Sequence, residues 1–209
     1  MEKGRSTLFF VLAVGIAVVG SGIYAFQGIR VANGEPITKE MVMGESDAPI
    51  TIIEFASLTC PHCARFHSEI LPHIKSGYID TGKAKLIFRD FPFDQRALMA
   101  SAMARCGSEE QYFGFLDILF RTQMNWAKAD DTFEALAQIG RMGGLSRDSV
   151  DACLHNEELR KAIVAGRLSG EQEFDIDSTP TFIINGTKHE GVKSFEEFRS
   201  ILDDLVPNT

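Results

Sequence analysis

Apolar positions along this chain change their spacing several times, and each spacing predicts a different element. From Leu8 to Phe26 the chain is uncharged and mostly apolar, with Lys3 and Arg5 ahead of it. A positive start before such a run is an export signal. The run is longer than the usual ~7–15 residues of a signal's apolar core and approaches the ~20 that span a bilayer. No small-x-small cleavage site follows, because Ile23 stands two residues before Ala25. Residues 1–27 are therefore read as a cleaved signal peptide or an N-terminal membrane anchor, with a buried helix of a cytosolic core as the third alternative. Either of the first two delivers the rest to an oxidising compartment such as the periplasm.

Residues 28–47 are polar and irregular, a linker with room for one short strand. Pro49 to Ala56 is then almost continuously apolar and rich in β-branched residues, which predicts a central strand buried on both faces. Past residue 60 the period becomes four: Phe66, Ile70, Ile74 and Tyr78 mark an amphipathic helix, kinked where Pro72 lacks a donor. Lys85 to Arg89 is a second strand, completing a βαβ unit. Between Gln95 and Asp175 no strand is evident. Helices are predicted instead at 98–105, 112–120, 132–139, 146–154 and 157–174, punctuated by Gly107, Gly140 and Gly143-Gly144. A strand returns at Thr181 to Ile184, Asn185-Gly186 makes a hairpin turn, and a second strand follows through Lys188 to Gly191. Ser194 with Glu197 is a capping box opening a last helix to Leu205. The fold class is α/β, with segments 48–94 and 177–209 building the sheet and 95–176 inserted as a helical domain.

Charge changes the picture in one respect. The net charge is −8, and no cluster of lysine and arginine offsets it, so a nucleic-acid partner is not expected. The four cysteines change it more. Cys60 and Cys63 stand together, whereas Cys106 and Cys153 stand alone in the insertion. In an exported chain an even count favours disulfides. A structural bond between Cys106 and Cys153 is the preferred reading, with two free buried cysteines as the alternative.

Cys60-Pro61-His62-Cys63 falls where a strand gives way to a helix. Exposed N–H groups and the helix dipole favour an anion there, and Cys60 would supply it as a thiolate. Pro61 at the first helical turn costs no hydrogen bond, and His62 can place a donor or a positive charge beside the sulfur. Each effect lowers the thiol pKa and makes the disulfide a stronger oxidant. Cys63, one turn on, is shielded and suits the resolving role. A zinc site would need a second C-x-x-C, or a histidine such as His67; haem attachment would need histidine at position 64, which is Ala. No metal and no cofactor are expected. Glu54 lies in the middle of the first long strand, where a buried carboxyl is expensive unless paired or at work. It can exchange protons with Cys63; a strand-edge Glu facing water is the alternative. Ser178-Thr179-Pro180 precedes a strand, and a cis bond before Pro180 is plausible.

The stretch Phe55-Ala-Ser-Leu-Thr-Cys-Pro-His-Cys-Ala-Arg-Phe66 resembles the active-site strand and helix of DsbA-like oxidases. The resemblance runs from Ala48 to about Leu205 and implies a thioredoxin fold with an inserted helical domain. It implies that Thr179-Pro180 faces the active cysteines and docks substrate backbone, and that Glu54 matches the family's buried acid. The lysine that partners this acid elsewhere has no clear match; Lys85 is the nearest candidate. The activity implied is oxidation of reduced, unfolded exported proteins by a monomeric enzyme. Its reoxidant would be a quinone-linked membrane partner resembling DsbB. An isomerase or reductase of the same fold is the first rival, and a non-catalytic metal-delivery module the second.

Overall fold

The computed structural model describes residues 39–207; residues 1–27, read above as a signal peptide or anchor, and most of the linker lie outside the described residues. The β-branched runs form one five-stranded sheet in the order β1-β3-β2-β4-β5. These strands are β1 (Met41–Met43), β2 (Ile50–Ala56), β3 (Ala84–Asp90), β4 (Thr181–Ile184) and β5 (Thr187–Glu190). β2 and β3 are parallel, as a βαβ connection requires, and the other neighbours pair antiparallel. The short strand at Met41–Met43 brings the end of the linker into the sheet. Asn185 and Gly186 both take positive φ (44° and 88°), the geometry of the tight β4–β5 hairpin.

Register decides what each face carries. Glu54 of β2 lies opposite Phe88 of β3 and Phe182 of β4, so these three share one face. Phe66 and Phe198 pack onto Phe182 there, with ring centroids 4.6 and 5.0 Å away. Phe55 points to the other face, where α8 (Glu157–Phe174) crosses. A Cβ on Gly170 of α8 would come within 2.6 Å of the Phe55 ring, so the approach needs glycine.

The helix after β2 runs through 61–79. It comprises α1 (Pro61–Arg65), a π-helical turn (Phe66–Ile70), α2 (Leu71–Ile74) and a second π-helical turn (Lys75–Ile79). The expected irregularity therefore begins before Pro72. The Leu71 N–H donates to Phe66 O, five residues back, in the turn ahead of a proline that cannot continue the regular ladder.

The insertion holds α3 (Gln95–Ala104), α4 (Glu109–Arg121), α5 (Gln123–Ala127), α6 (Thr132–Met142), α7 (Arg147–Leu154) and α8. Its core includes Tyr112, Phe115, Leu119 and Trp126, and the Trp126 indole donates to Leu119 O at 2.8 Å. Cys106 and Cys153 are joined by a disulfide with Cα atoms 5.7 Å apart, tying the end of α3 to α7. The short α5 has no counterpart in the sequence reading. A capping box at Ser194 opens α9 (Phe195–Leu205). No helix among the described residues is long and apolar enough to cross a membrane.

Candidate active site

β2 delivers the chain to a loop, Ser57 to Thr59, that turns directly into α1. Cys60 is the residue before the first helical turn, with extended backbone (φ −78°, ψ 120°), and Pro61 follows at a position where its missing N–H costs nothing. The Cys60 N–H donates to Ser57 O at 3.0 Å, and Cys60 O accepts from Ala64 N–H at 3.2 Å. Cys60 and Cys63 are both free thiols, and their surroundings differ sharply. Cys60 is half-buried at the helix tip; Cys63 is fully buried.

That asymmetry sets their acidities. The Cys60 pKa falls from 9.0 to about 5, chiefly because the Cys63 thiol hydrogen-bonds its sulfur. Partial burial opposes this, while the Thr179 side chain and the backbone N–H groups of Cys63 and His62 add to it. Cys63 is pushed far upward by its burial, then by its bond to Cys60 and the negative charges of Glu54 and Cys60. One sulfur is thus a stable thiolate at neutral pH, and the other a thiol held in reserve.

Thr179 and Pro180 stand opposite, joined by a cis peptide bond. The Cys60 thiol donates to Thr179 O at 3.3 Å. Thr179 Oγ1 is buried and makes no ordinary hydrogen bond, which leaves its proton available to the Cys60 thiolate. The role expected of His62 changes here. Its side chain is exposed, and what it brings to Cys60 is its backbone N–H.

Glu54 is completely buried, and its partner is not Lys85. In the β2–β3 register Lys85 lies opposite Thr51, on the face away from Glu54, and its ammonium donates to Ser46 O at 2.6 Å. The partner is His67, whose Nε2 lies 3.1 and 3.0 Å from the two carboxyl oxygens. The imidazole stacks on Phe120 with centroids 4.0 Å apart. His67, weighed from sequence only as a metal ligand, comes four residues after Cys63, on the same side of the helix. That spacing was the available signal.

Two further residues shape the loop. Gln123 on α5 is buried, and its amide donates to Leu58 O at 2.8 Å and Cys60 O at 3.0 Å. Thr59 Oγ1 donates to Asp94 at 2.7 Å, while Asp94 also caps α3 through the Ala97 N–H. No sequence signal marked Gln123; Asp94 was missed as well, although an acid directly ahead of a helical stretch is a cap signal that could have found it. Met124 and Phe93, adjacent to these two in the chain, are exposed apolar side chains.

Sheet order, insertion and the unequal thiols define a thioredoxin-fold protein with a helical domain and a reactive C-x-x-C pair. The family model described as thioredoxin matches residues 37–204. A putative protein-disulfide oxidoreductase of Rickettsia bellii (strain RML369-C) is 34% identical over 168 residues, 80% of this chain and 64% of that one. Disulfide bond formation protein D of Bacillus subtilis (strain 168) is 27% identical over 191 residues, covering 85% of this chain and 82% of that protein. The crystal structure of Wolbachia pipientis alpha-DsbA1 superposes with a TM-score of 0.76 at 34% identity, covering 82% of this chain and 92% of that one. The chain belongs to the DsbA-like branch of the thioredoxin family. It spans less than two thirds of the rickettsial relatives' length.

Proposed function

We propose that this protein is an exported thiol–disulfide oxidoreductase that introduces disulfide bonds into reduced, unfolded client proteins. The observation that carries the reading is the opposed state of the two thiols, Cys60 lowered to about 5 and Cys63 buried and raised. A stable Cys60 thiolate favours the reduced enzyme, which makes its disulfide a good oxidant. The names of the rickettsial and Bacillus relatives point the same way.

In the forward direction a client thiolate attacks Cys60 Sγ of the oxidised pair. The Cys60–Cys63 bond breaks, a mixed disulfide forms, and Cys63 leaves as a thiolate that takes up a proton. A second client thiolate then attacks the client sulfur of the mixed disulfide and expels Cys60 as a thiolate. The client loses two electrons and the enzyme gains them. Exposed Met124 and Phe93 suit apolar stretches of unfolded clients, and Thr179-Pro180 supplies backbone groups opposite Cys60. Reoxidation falls to a quinone-linked membrane protein resembling DsbB, and the enzyme acts as a monomer. Lys3, Arg5 and the Leu8 to Phe26 run support export to the periplasm, soluble after cleavage or tethered by an anchor.

The test is the equilibrium of the Cys60–Cys63 couple with glutathione, alongside oxidation of a reduced, unfolded client protein. An oxidase should equilibrate at a potential well above that of thioredoxin, about −270 mV. A potential at or below that value, with no client oxidation, would make the protein a reductase. A reporter fused after Thr209 should be active only outside the cytoplasm.

A further inference from the structure

Breaking the Cys60–Cys63 bond leaves a charge in a poor place. Cys63 is fully buried in an apolar cluster that includes Leu58, Phe88 and Phe120, so a thiolate there must be protonated quickly. Solvent cannot reach it directly. The only carboxyl completely buried among the described residues, Glu54, is close enough for its charge to act on Cys63. Both Glu54 oxygens lie within hydrogen-bond distance of His67 Nε2. His67 keeps 8% of its surface exposed, whereas Glu54 and Cys63 keep none.

We propose that His67 is the proton-relay partner of Glu54, carrying protons between solvent and Cys63. His67 acts through Glu54 and not on sulfur. This rests on the disulfide-exchange reading above. Between carboxyl and imidazole a single proton has two positions, on Glu54 facing Nε2 or on Nε2 facing the carboxylate. When client thiolate displaces Cys63, the carboxylic acid gives its proton to the departing sulfur, leaving a carboxylate beside an unprotonated Nε2. The imidazole then takes one proton from solvent and holds it on Nε2 against the carboxylate, which restores the single proton of the pair. In the reverse direction Glu54 takes the Cys63 proton and returns it through His67. One proton crosses in each turnover, and the charge on His67 and Glu54 is restored.

The surroundings limit other donors. Cys63 faces the pair from α1 and Tyr112 from α4. The Tyr112 hydroxyl is buried without a hydrogen-bond partner, and its pKa lies well above 10.0, mainly through burial. Asp90 and Arg105 near Tyr112 are bound to each other at 2.7 Å. Phe88, Phe66 and Phe120 close the remaining sides of the imidazole.

The experiment follows reduction of the oxidised full chain by glutathione in a stopped-flow instrument, in water and in deuterium oxide, across about pH 5 to 8 where imidazole titrates. His67→Gln keeps a hydrogen-bonding group beside Glu54 but cannot relay a proton. The expected result is exchange slowed by roughly ten- to a hundredfold, toward the lower end of what a placed acid–base group contributes. The pH dependence and the solvent isotope effect should shrink with it, while thiolate absorbance of Cys60 is unchanged. A rate, pH profile and isotope effect equal to wild type would overturn the proposal, and would do so even with Glu54→Gln slow. The native protein supplies a second reading that needs no variant. NMR of the His67 ring should show different nitrogen shifts in the oxidised and reduced proteins; identical shifts would also overturn the proposal. A wild-type chain that exchanges no disulfides at all would instead overturn the proposed function.

Discussion

The Gln123 side-chain amide donates to the Cys60 carbonyl at 3.0 Å, although 63 residues separate them in the chain. The same nitrogen donates to Leu58 O, so one buried group from the helical insertion holds two carbonyls of the active-site loop. Without it the Leu58 carbonyl would lose this donor, and the Cys60 carbonyl would keep only the Ala64 N–H, in the neighbourhood of a thiolate. The insertion is thereby part of the active site.

Gln123→Leu keeps the volume and removes both donations. Stripping buried carbonyls of a partner costs about 1–3 kcal/mol. The expected result is a lower melting temperature together with a Cys60 pKa above about 5, read by thiolate absorbance. A drop in stability with an unchanged Cys60 pKa would confine Gln123 to packing.

Thr179 and His62 are ranked by the geometry. Thr179 presents a buried, otherwise unpartnered hydroxyl to Cys60, while the His62 ring is in solvent. Thr179→Val should therefore raise the Cys60 pKa more than His62→Ala does, and make the protein the weaker oxidant of the two. The reverse order in the glutathione equilibrium would show that the imidazole, not the hydroxyl, tunes the sulfur.

The two thiols predict a pH signature for the stability of the reduced protein relative to the oxidised one. A group with a depressed folded pKa adds stability above its unfolded value, and this is lost as pH falls through the folded value. For Cys60 the window runs from about 9.0 down to about 5. The melting temperature of the reduced form, minus that of the oxidised form, should rise with pH across this window. Above it the gain should stop and reverse, because Cys63 ionises in the unfolded chain but not in its buried site. Thermal melts at a series of pH values test the sign directly.

Cys63→Ala should accumulate a covalent adduct with an activated client disulfide, while Cys60→Ala should form none. Only Cys60 is both exposed enough and acidic enough to react. Adduct on the Cys60→Ala protein, seen by mass spectrometry, would contradict the roles given to the pair.

Removing the Cys106–Cys153 bond releases a loop spanning a sequence separation of 47. The chain-entropy model puts the loss at roughly 4 kcal/mol. The double alanine variant should melt well below the wild type and keep the Cys60 pKa. A shifted Cys60 pKa would mean that the bond also shapes the active-site loop through the insertion.

Periodicity alone determined most of the elements. β-Branched runs marked β2, β3 and β4, four-residue spacing marked the helix through Phe66, Ile70, Ile74 and Tyr78, and Asn185-Gly186 marked the hairpin. Those signals are local, arising from side-chain alternation and turn conformation within a few residues. Cys60, Cys63 and Pro180 were legible for the same reason, since strand–loop–helix order and proline chemistry are written in adjacent positions. The buried acid's partner was decided only in three dimensions. Lys85 is closer to β2 in the sheet than in the chain, but parallel register turns its side chain to the wrong face, and His67 reaches Glu54 from the helix above. Gln123 is the clearest case. It sits on a five-residue helix with no period to detect, and its function depends on a contact across 63 residues that only the packing of the insertion creates.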